Sequence, residues 1–328
     1  MIYIIDNNTD PYWNLAAEEY LFKNMNQPVF RLWQNDNAII IGMHQNALAE
    51  INIDYVRENG IKVVRRVSGG GAVYHDMGNL NFTFIDNRSE AEESSVMFAR
   101  FTRPIVDALK KLNVDAYLEG RNDLLIEGRK FSGNAVAVYK DRILQHGTLL
   151  FSSSMKDLSE ALAGRPEKFI SKSVKSNRAR VTNISEHLKE SMTIEQFISF
   201  LEMEIAVAEK YERYHYTPED MEAINQLRDN KYSKDWWNLG SAPAYKFSKV
   251  CQFPGGLVEL YMEVSKGIIK EIRIFGSYFF TKETSDVEEL LTGCSHTKEE
   301  IEKRLETINL SHYFNNITRE EFITLFWD

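Results

Sequence analysis

Residues 65 to 76 read Arg-Arg-Val-Ser-Gly-Gly-Gly-Ala-Val-Tyr-His-Asp, and no other stretch constrains the chain as much. Glycine loses more backbone freedom on ordering than any other residue, so three in succession are costly. Gly69, Gly70 and Gly71 sit between two β-like segments, 62–67 and 72–74, with Arg65 and Arg66 at the entrance and His75 and Asp76 at the exit. Exposed N–H groups beside arginine suit a bound phosphate. The plain alternative is a flexible hairpin turn joining the two segments. The motif by itself does not choose.

Standard nucleotide signatures are absent. The glycine run is not followed by Lys-Ser or Lys-Thr at P-loop spacing, nor is it Gly-x-Gly-x-x-Gly, so a phosphate site here would be of another type. With 328 residues, 43 % hydrophobic and 27 % charged, the chain is an ordinary globular protein of one large domain or two. A net charge of −9 speaks against nucleic acid as a partner. No apolar run is long enough to span a membrane, and residues 1–6 lack the start of a signal peptide, so no membrane partner and a cytoplasmic location are expected. Two cysteines, Cys251 and Cys294, do not make a disulfide framework.

Asp10-Pro11 reads as a helix start, Asp at the N-cap and Pro at the first position. Trp13, Ala16, Ala17, Tyr20 and Leu21 follow on one helical face. Val29–Trp33, Ala38–Ile41 and residues 80–85 read as strands. Phe98, Phe101, Ile105, Leu109 and Leu112, spaced 3, 4, 4 and 3, mark an amphipathic helix. Further strands are expected at 116–118, 123–126, 130–139 and 143–151, with a tight turn at Glu127-Gly128-Arg129. Residues 155–162 suggest a short helix, 164–183 a charged loop, 193–211 a helix, and Thr217-Pro218 another helix start. From about residue 231 the composition shifts. Trp236, Trp237, Gly240 and Pro243 form an aromatic connector. Two strands, 257–264 and 268–275, and helices opened by capping boxes at Thr297 and Thr318 then predict a small α/β unit.

Several groups can carry chemistry, each beside an ordinary structural reading. Lys130 is a solvated surface lysine, or a compact charge that holds an anion and counters charge building on phosphorus or a carbonyl. Asn122-Asp123 is a polar turn, or places a carboxylate on a phosphate-bound metal, because Mg²⁺ takes one or two carboxylates. His75 and His146 are satisfied core histidines or pocket groups. His44 is assigned no role. Lys172, Lys175, Arg178 and Arg180 make a solvated loop or a mobile cover over a nucleotide. The cysteines read as inert thiols.

Taken in order, the chain resembles the lipoate–protein ligases. The matching pieces are residues 14–19 (Asn-Leu-Ala-Ala-Glu-Glu), Ile41-Gly42 with Gln45-Asn46, Arg65 to Asp76, and Gly78 to Phe84. They continue with Gly120-Arg121-Asn122-Asp123, Lys130 to Ala135, His146-Gly147-Thr148-Leu149-Leu150, and Arg178 to Asn183. The connector and final unit match the long bacterial form. The resemblance implies an α/β (α+β) fold. Residues 1–245 would be a mixed-sheet catalytic domain of the lipoyl-ligase/biotin-ligase type, and residues 246–328 a small α/β accessory domain. It implies that lipoate and Mg²⁺-ATP give lipoyl-adenylate and pyrophosphate. The lipoyl group would then pass to a lysine on a lipoyl domain of a 2-oxoacid dehydrogenase E2 subunit or on a glycine-cleavage H protein.

The same resemblance implies roles. Arg66, the amides of Gly71, Ala72, Val73 and Tyr74, with Asn122, Asp123, Arg178 and Arg180, would serve ATP and the adenylate, Asp123 also the magnesium. Ser68, Gly69, Gly70, His75, Gly133, His146 and Thr148 would line the lipoate site, with Lys130 serving both and acting as the catalytic residue. Residues 164–180 would cover the adenylate, and the accessory domain would move between the half-reactions. Val136-Ala137-Val138 stands where some family members carry an arginine. Rival readings are an octanoyl or lipoyl acyltransferase of the same fold, a biotin ligase, and a non-catalytic binding module. The first needs an activated cysteine, and none lies before residue 251.

Overall fold

Runs of β-branched and aromatic residues alternate with helical periodicity along most of the chain, and the computed structural model packs them into a main core, a second core near the C-terminal end and three smaller clusters. It describes all residues except 46, 89–93, 121, 163–180, 239–246, 266–267 and 327–328. In chain order the strands are β1 (Ile2–Ile5), β2 (Val29–Trp33), β3 (Ala38–Ile41), β4 (Lys62–Arg65), β5 (Val73–His75), β6 (Asn79–Asn87), β7 (Ala116–Glu119), β8 (Asp123–Ile126), β9 (Arg129–Tyr139), β10 (Arg142–Leu150), β11 (Glu212–Arg213), β12 (Phe247–Phe253), β13 (Gly256–Ser265) and β14 (Ile268–Gly276). An eight-stranded sheet runs β11-β1-β2-β6-β10-β9-β8-β7. It is mixed: β1 is parallel to β2 and β11, and the remaining pairs are antiparallel.

Strand β6 shows how the sheet serves two interiors. Leu80, Phe82 and Phe84 point into the main core, against Phe98, Phe101, Ile105 and Leu109 of a long helix, Ser94–Lys111. Asn79, Asn81 and Thr83 alternate with them, as the period of a strand demands. Polar residues on one strand face usually meet water, yet these three are buried. Their face is covered by the first helix, α1 (Pro11–Asn24), whose Glu18 reaches Thr83. Helix α1 itself is buried nearly all round, with Asn14, Glu18 and Glu19 inside as well as the apolar positions. Its start is as expected, but Asp10 makes no side-chain cap bond and instead pairs with Lys62 Nζ at 3.1 Å.

The glycine run is not a hairpin turn. Strand β3 lies between β4 and β5, parallel to the first and antiparallel to the second, so residues 66–72 cross over the end of β3. Gly70 takes φ +95°, which explains at least one glycine. The turn at Glu127-Gly128 is as tight as expected, with φ 50° and 72°.

A second core is formed by residues 251–326 around β12-β13-β14. This sheet has three strands, not the expected two. Strand β12 was missed because Ser248, Lys249 and Gln252 interrupt its apolar residues on an edge strand. Thr318 forms its capping box with Glu321, whereas Thr297 makes no side-chain cap bond. The helix expected at 193–211 is α-helical only over Ile194–Leu201, followed by a π-helical stretch, Glu202–Val207. Within the connector, residues Asp235–Asn238 form a short helix, while Gly240 and Pro243 lie outside the described residues. No helix among the described residues is long and apolar enough to cross a membrane.

Candidate active site

Where the buried polar face of β6 meets the crossover loop, a cavity of about 370 Å³ opens. Gly70, Gly71, Ala72 and Val73 form one wall. The partly exposed Asp123 and Lys130 mark its mouth, the buried Trp33, His75, Asn81 and His146 its interior, and Asn122, Gly133 and Thr148 line it as well. Arg66 also reaches it. Of the residues expected here, Ser68, Gly69 and Tyr74 do not line it, and Arg178 and Arg180 lie outside the described residues.

At the mouth, Lys130 Nζ stands 2.7 Å from Asp123 Oδ1, with both side chains more than a third exposed (37 % and 38 %). The pairing of β8 with β9 slips by one residue between Leu124 and Leu125, so Phe131 is extra. Such bulges re-aim neighbouring side chains, and here Phe131 enters the core beside Lys130 at the mouth. Gly133 leaves room for the lysine: a Cβ there would lie 3.1 Å from Nζ. Its N–H donates to Thr148 Oγ1 at 3.2 Å.

The arginines of the loop hold backbone. Arg66 donates from Nε to Ser68 Oγ, from Nη1 to the Ile40 carbonyl, and from Nη2 to the carbonyls of Gly69 and Gly71. Arg65 binds the carbonyls of Gly42, Met43, Gln45, Trp237 and Asn238. Neither pairs with a carboxylate among the described residues, and burial lowers both guanidinium pKa values to about 10. The loop is thus built around two buried positive charges, a setting that favours an anion.

Two buried histidines follow different logics. His146 uses both ring nitrogens. Nδ1 lies 2.9 Å and 3.0 Å from the two oxygens of Glu18, which can only accept, so Nδ1 carries a proton. Nε2 lies 2.5 Å from Ser68 Oγ. Glu18 also accepts from Thr83 Oγ1 at 2.6 Å, and Thr83 in turn accepts from Trp33 Nε1 at 2.9 Å. Burial alone would raise the Glu18 pKa, but His146, Thr83 and Arg31 outweigh it and hold the carboxyl below its ordinary value. His75 uses Nδ1 alone, with Asn35 Nδ2 at 3.0 Å, and its Nε2 has no partner among the described residues. Burial, with Arg66 and His146 nearby, pushes its pKa down to about 3, so the ring is neutral.

The second core closes one side. Ser277 and Phe279 line the cavity. The His44 ring stacks on Tyr278 with centroids 5.1 Å apart, and its Nδ1 lies 3.1 Å from Thr284 Oγ1. The Gly276 N–H donates to the His44 carbonyl. Gly69 lies so close that a Cβ would overlap the Tyr278 carbonyl oxygen, which is why it faces this unit rather than the cavity. Sequence reasoning missed Glu18, Trp33, Asn81, Asn134 and Phe279. Glu18, Asn81 and Asn134 stood inside the quoted motifs; nothing in the sequence marked Trp33 or Phe279.

The comparisons match this architecture end to end. The lipoyl protein ligase A/B catalytic domain family matches residues 10–206, and the bacterial lipoate protein ligase C-terminus matches residues 242–326. The chain belongs to the lipoate–protein ligase family. Lipoate-protein ligase LplJ of Bacillus subtilis is 43 % identical over 333 residues, covering 100 % of both chains. Lipoate–protein ligase 1 of Staphylococcus aureus is 42 % identical over 99 % of each. The crystal structure of P. falciparum LipL1 with lipoate superposes with a TM-score of 0.77 at 27 % identity, covering 98 % of this chain and 97 % of that one. Lipoate-protein ligase A bound with ATP superposes with a TM-score of 0.63 at 27 % identity, covering 73 % and 98 %.

Proposed function

We infer that this cavity joins lipoate to ATP and then passes the lipoyl group to a protein lysine. The observation that carries this reading is the cavity's polarity: a partly exposed lysine, a lining that includes buried His75, Asn81 and His146, and a glycine-bearing wall beside the buried Arg66 guanidinium. The full-length likeness to ligases, and to structures that hold lipoate or ATP, supports it.

In the first half-reaction a lipoate oxygen attacks the α-phosphorus and pyrophosphate leaves. Lys130 holds the carboxylate and counters charge as it builds on phosphorus, then on the tetrahedral carbonyl carbon when the acceptor amine attacks and AMP departs. The amides of Ala72 and Val73 and the exposed edge of Gly71 serve the phosphates. Arg66 contributes through the loop it shapes and through its field. Most of the rate comes from holding the two reactants in line. Ser68 acts through His146 rather than by touching the chain. Asp123 fits a phosphate-bound Mg²⁺ in the usual sense of one protein carboxylate, once Lys130 turns to its substrate. Among the described residues no group of three His, Cys, Asp or Glu is placed to cage a metal. A bound Mg²⁺ would neutralise phosphate charge.

We assign residues 1–245 to the catalytic domain and 246–328 to the accessory domain, and propose a cytoplasmic enzyme. The acceptor would be a lipoyl domain of an E2 subunit or an H protein. A structural neighbour, the bipartite ligase of Thermoplasma acidophilum studied with its E2 lipoyl domain, is 29 % identical with a TM-score of 0.66 over 75 % of this chain. The acyltransferase alternative lacks its nucleophile: Cys294 is buried in the second core, where burial raises its thiol pKa, and the half-buried Cys251 packs against that same core. The test is pyrophosphate release from lipoate and ATP, followed by mass gain of an acceptor domain. Lys130→Ala should stay folded and lose pyrophosphate release. Near-normal release from that variant, or transfer without ATP, would overturn the assignment.

A further inference from the structure

The ion pair between Lys130 and Asp123 is built into the sheet. Asp123 opens β8 and lies opposite Gly133 of β9. A glycine within a strand lets another group approach closely. Here that group is the end of the Lys130 side chain, since a Cβ on Gly133 would lie 3.1 Å from Nζ and 3.2 Å from Cε. Folded back over Gly133, Nζ meets Asp123 Oδ1 at 2.7 Å. The backbone on both sides is fixed. Asn122 Nδ2 donates to the Asn134 carbonyl at 2.8 Å, and the Asn134 N–H and Nδ2 donate back to the Asn122 carbonyl at 2.9 Å and 3.0 Å. The Lys130 carbonyl accepts from the Thr182 N–H at 3.0 Å. Among the described residues neither Lys130 nor Asp123 has another charged partner.

The substrate carboxylate needs the same ammonium. The other cation lining the cavity, Arg66, spends Nε, Nη1 and Nη2 on Ser68 and on backbone carbonyls. An acid held at Lys130 therefore meets a lysine that already serves a carboxylate. Competition for Nζ and repulsion between the two carboxylates act in the same direction, and both weaken binding of the anion. Resting on the ligase reading above, we propose that Asp123 is a positioning residue that competes with lipoate for Lys130 and keeps the acid weakly held until the nucleotide arrives. Asp123 then turns to the phosphate-bound cation, which takes one or two carboxylates, and Lys130 turns to the lipoate carboxylate. In this exchange each carboxylate keeps a positive partner. The acid is thus held firmly only when the phosphate it must attack is present. Both side chains are more than a third exposed, so the effect is the severalfold one of a solvent-screened pair.

The experiment measures binding of lipoate and of lipoamide, which has the same tail and a neutral end, to the full chain by titration calorimetry. Without nucleotide, Asp123→Asn should bind lipoate about fivefold more tightly than wild type, the scale of one partly exposed ion pair, and lipoamide equally well. Unchanged or weaker lipoate binding, or an equal gain for lipoamide, overturns the proposal. The second arm adds Mg²⁺ and an ATP analogue with a methylene between the α- and β-phosphates, which cannot adenylate. In wild type the preference for lipoate over lipoamide should rise about fivefold. In Asp123→Asn it should stay where it was. A wild-type preference that does not rise also overturns the proposal, and this arm decides alone if the variant does not fold. Wild-type chain that releases no pyrophosphate from lipoate and ATP sinks the ligase reading and this inference together. Active wild type with unmoved preferences sinks only this one.

Discussion

Glu18→Gln tests whether the buried network, rather than the apolar cores, holds the site together. Glu18 is 0 % exposed and accepts from Thr83 Oγ1 at 2.6 Å and from His146 Nδ1 at 2.9 Å and 3.0 Å. Glutamine keeps the volume, so no cavity forms, but it turns one acceptor oxygen into a donor facing existing donors. Removing one partner from a buried charged network typically costs about 3–5 kcal/mol. The lower end applies here, because the remaining amide oxygen still accepts one bond and His146 keeps Ser68. About 3 kcal/mol corresponds to a fall in Tm of roughly 6–12 °C for a unit of this size. The pH dependence has a definite sign. The folded carboxyl titrates below its ordinary 4.5, so its stabilisation is present above that value and is lost as pH falls through the lower folded pKa. Wild type should therefore lose stability in that acid window, and Glu18→Gln should lose less of it there. Calorimetric melts between pH 7 and acid measure both. A variant melting within about 2 °C of wild type, with the same acid slope, would refute the reasoning.

Gly133→Ala places a methyl 3.1 Å from Lys130 Nζ and 3.2 Å from Cε, contacts a flexible side chain can relieve. Pyrophosphate release should fall about tenfold to a hundredfold through misplacement of the lysine, with Tm nearly unchanged. Unchanged turnover would show that Lys130 has slack. Gly69→Ala overlaps the Tyr278 carbonyl and crowds the Phe280 ring, so the loop or the second core must give way. We expect a larger radius of gyration in small-angle scattering; an unchanged curve and unchanged Tm go against the contact. Gln145 is buried with neither amide atom hydrogen-bonded among the described residues, so Gln145→Leu should raise stability by about 1 kcal/mol. A lowered urea midpoint would point to a partner such as water at that amide.

Much of this architecture was legible in the chain. The strands Val29–Trp33, Ala38–Ile41 and Asp123–Ile126 have the bounds their β-rich runs suggested, because each run ends at a turn residue. The crossover was not legible. Segments 62–67 and 72–74 look like a hairpin, and only the pairing of both with β3 shows otherwise. The polar face of β6 was hidden for a related reason. Asn79, Asn81 and Thr83 carry the alternation of a solvated face, and what buries them is α1, about 60 residues upstream. The capping-box residues also divide: Thr318 and Glu321 bond reciprocally, whereas Thr297, with the same spacing, does not. Local pattern offers a bond; tertiary placement decides whether it is made.

His75 and His146 carry that distinction into function. As letters in a sequence they are equivalent, each a lone histidine in or beside a strand. Hydrogen-bond direction separates them. Around His146 the donors converge: Trp33 gives to Thr83, Thr83 to Glu18, Arg66 to Ser68, and the imidazole itself to Glu18. The carboxylate ends each of these chains, and both ring nitrogens of His146 are used within the protein. Around His75 the chain runs from Arg31 through Asn14 and Asn35 and ends on Nδ1. The Arg66 chain and the His75 chain each begin at a buried arginine and differ in what terminates them, a carboxylate in the first and the His75 imidazole in the second. Which ring nitrogens are used within the protein therefore depends on the orientation of Asn14, Asn35 and Glu18, which no spacing in the sequence encodes.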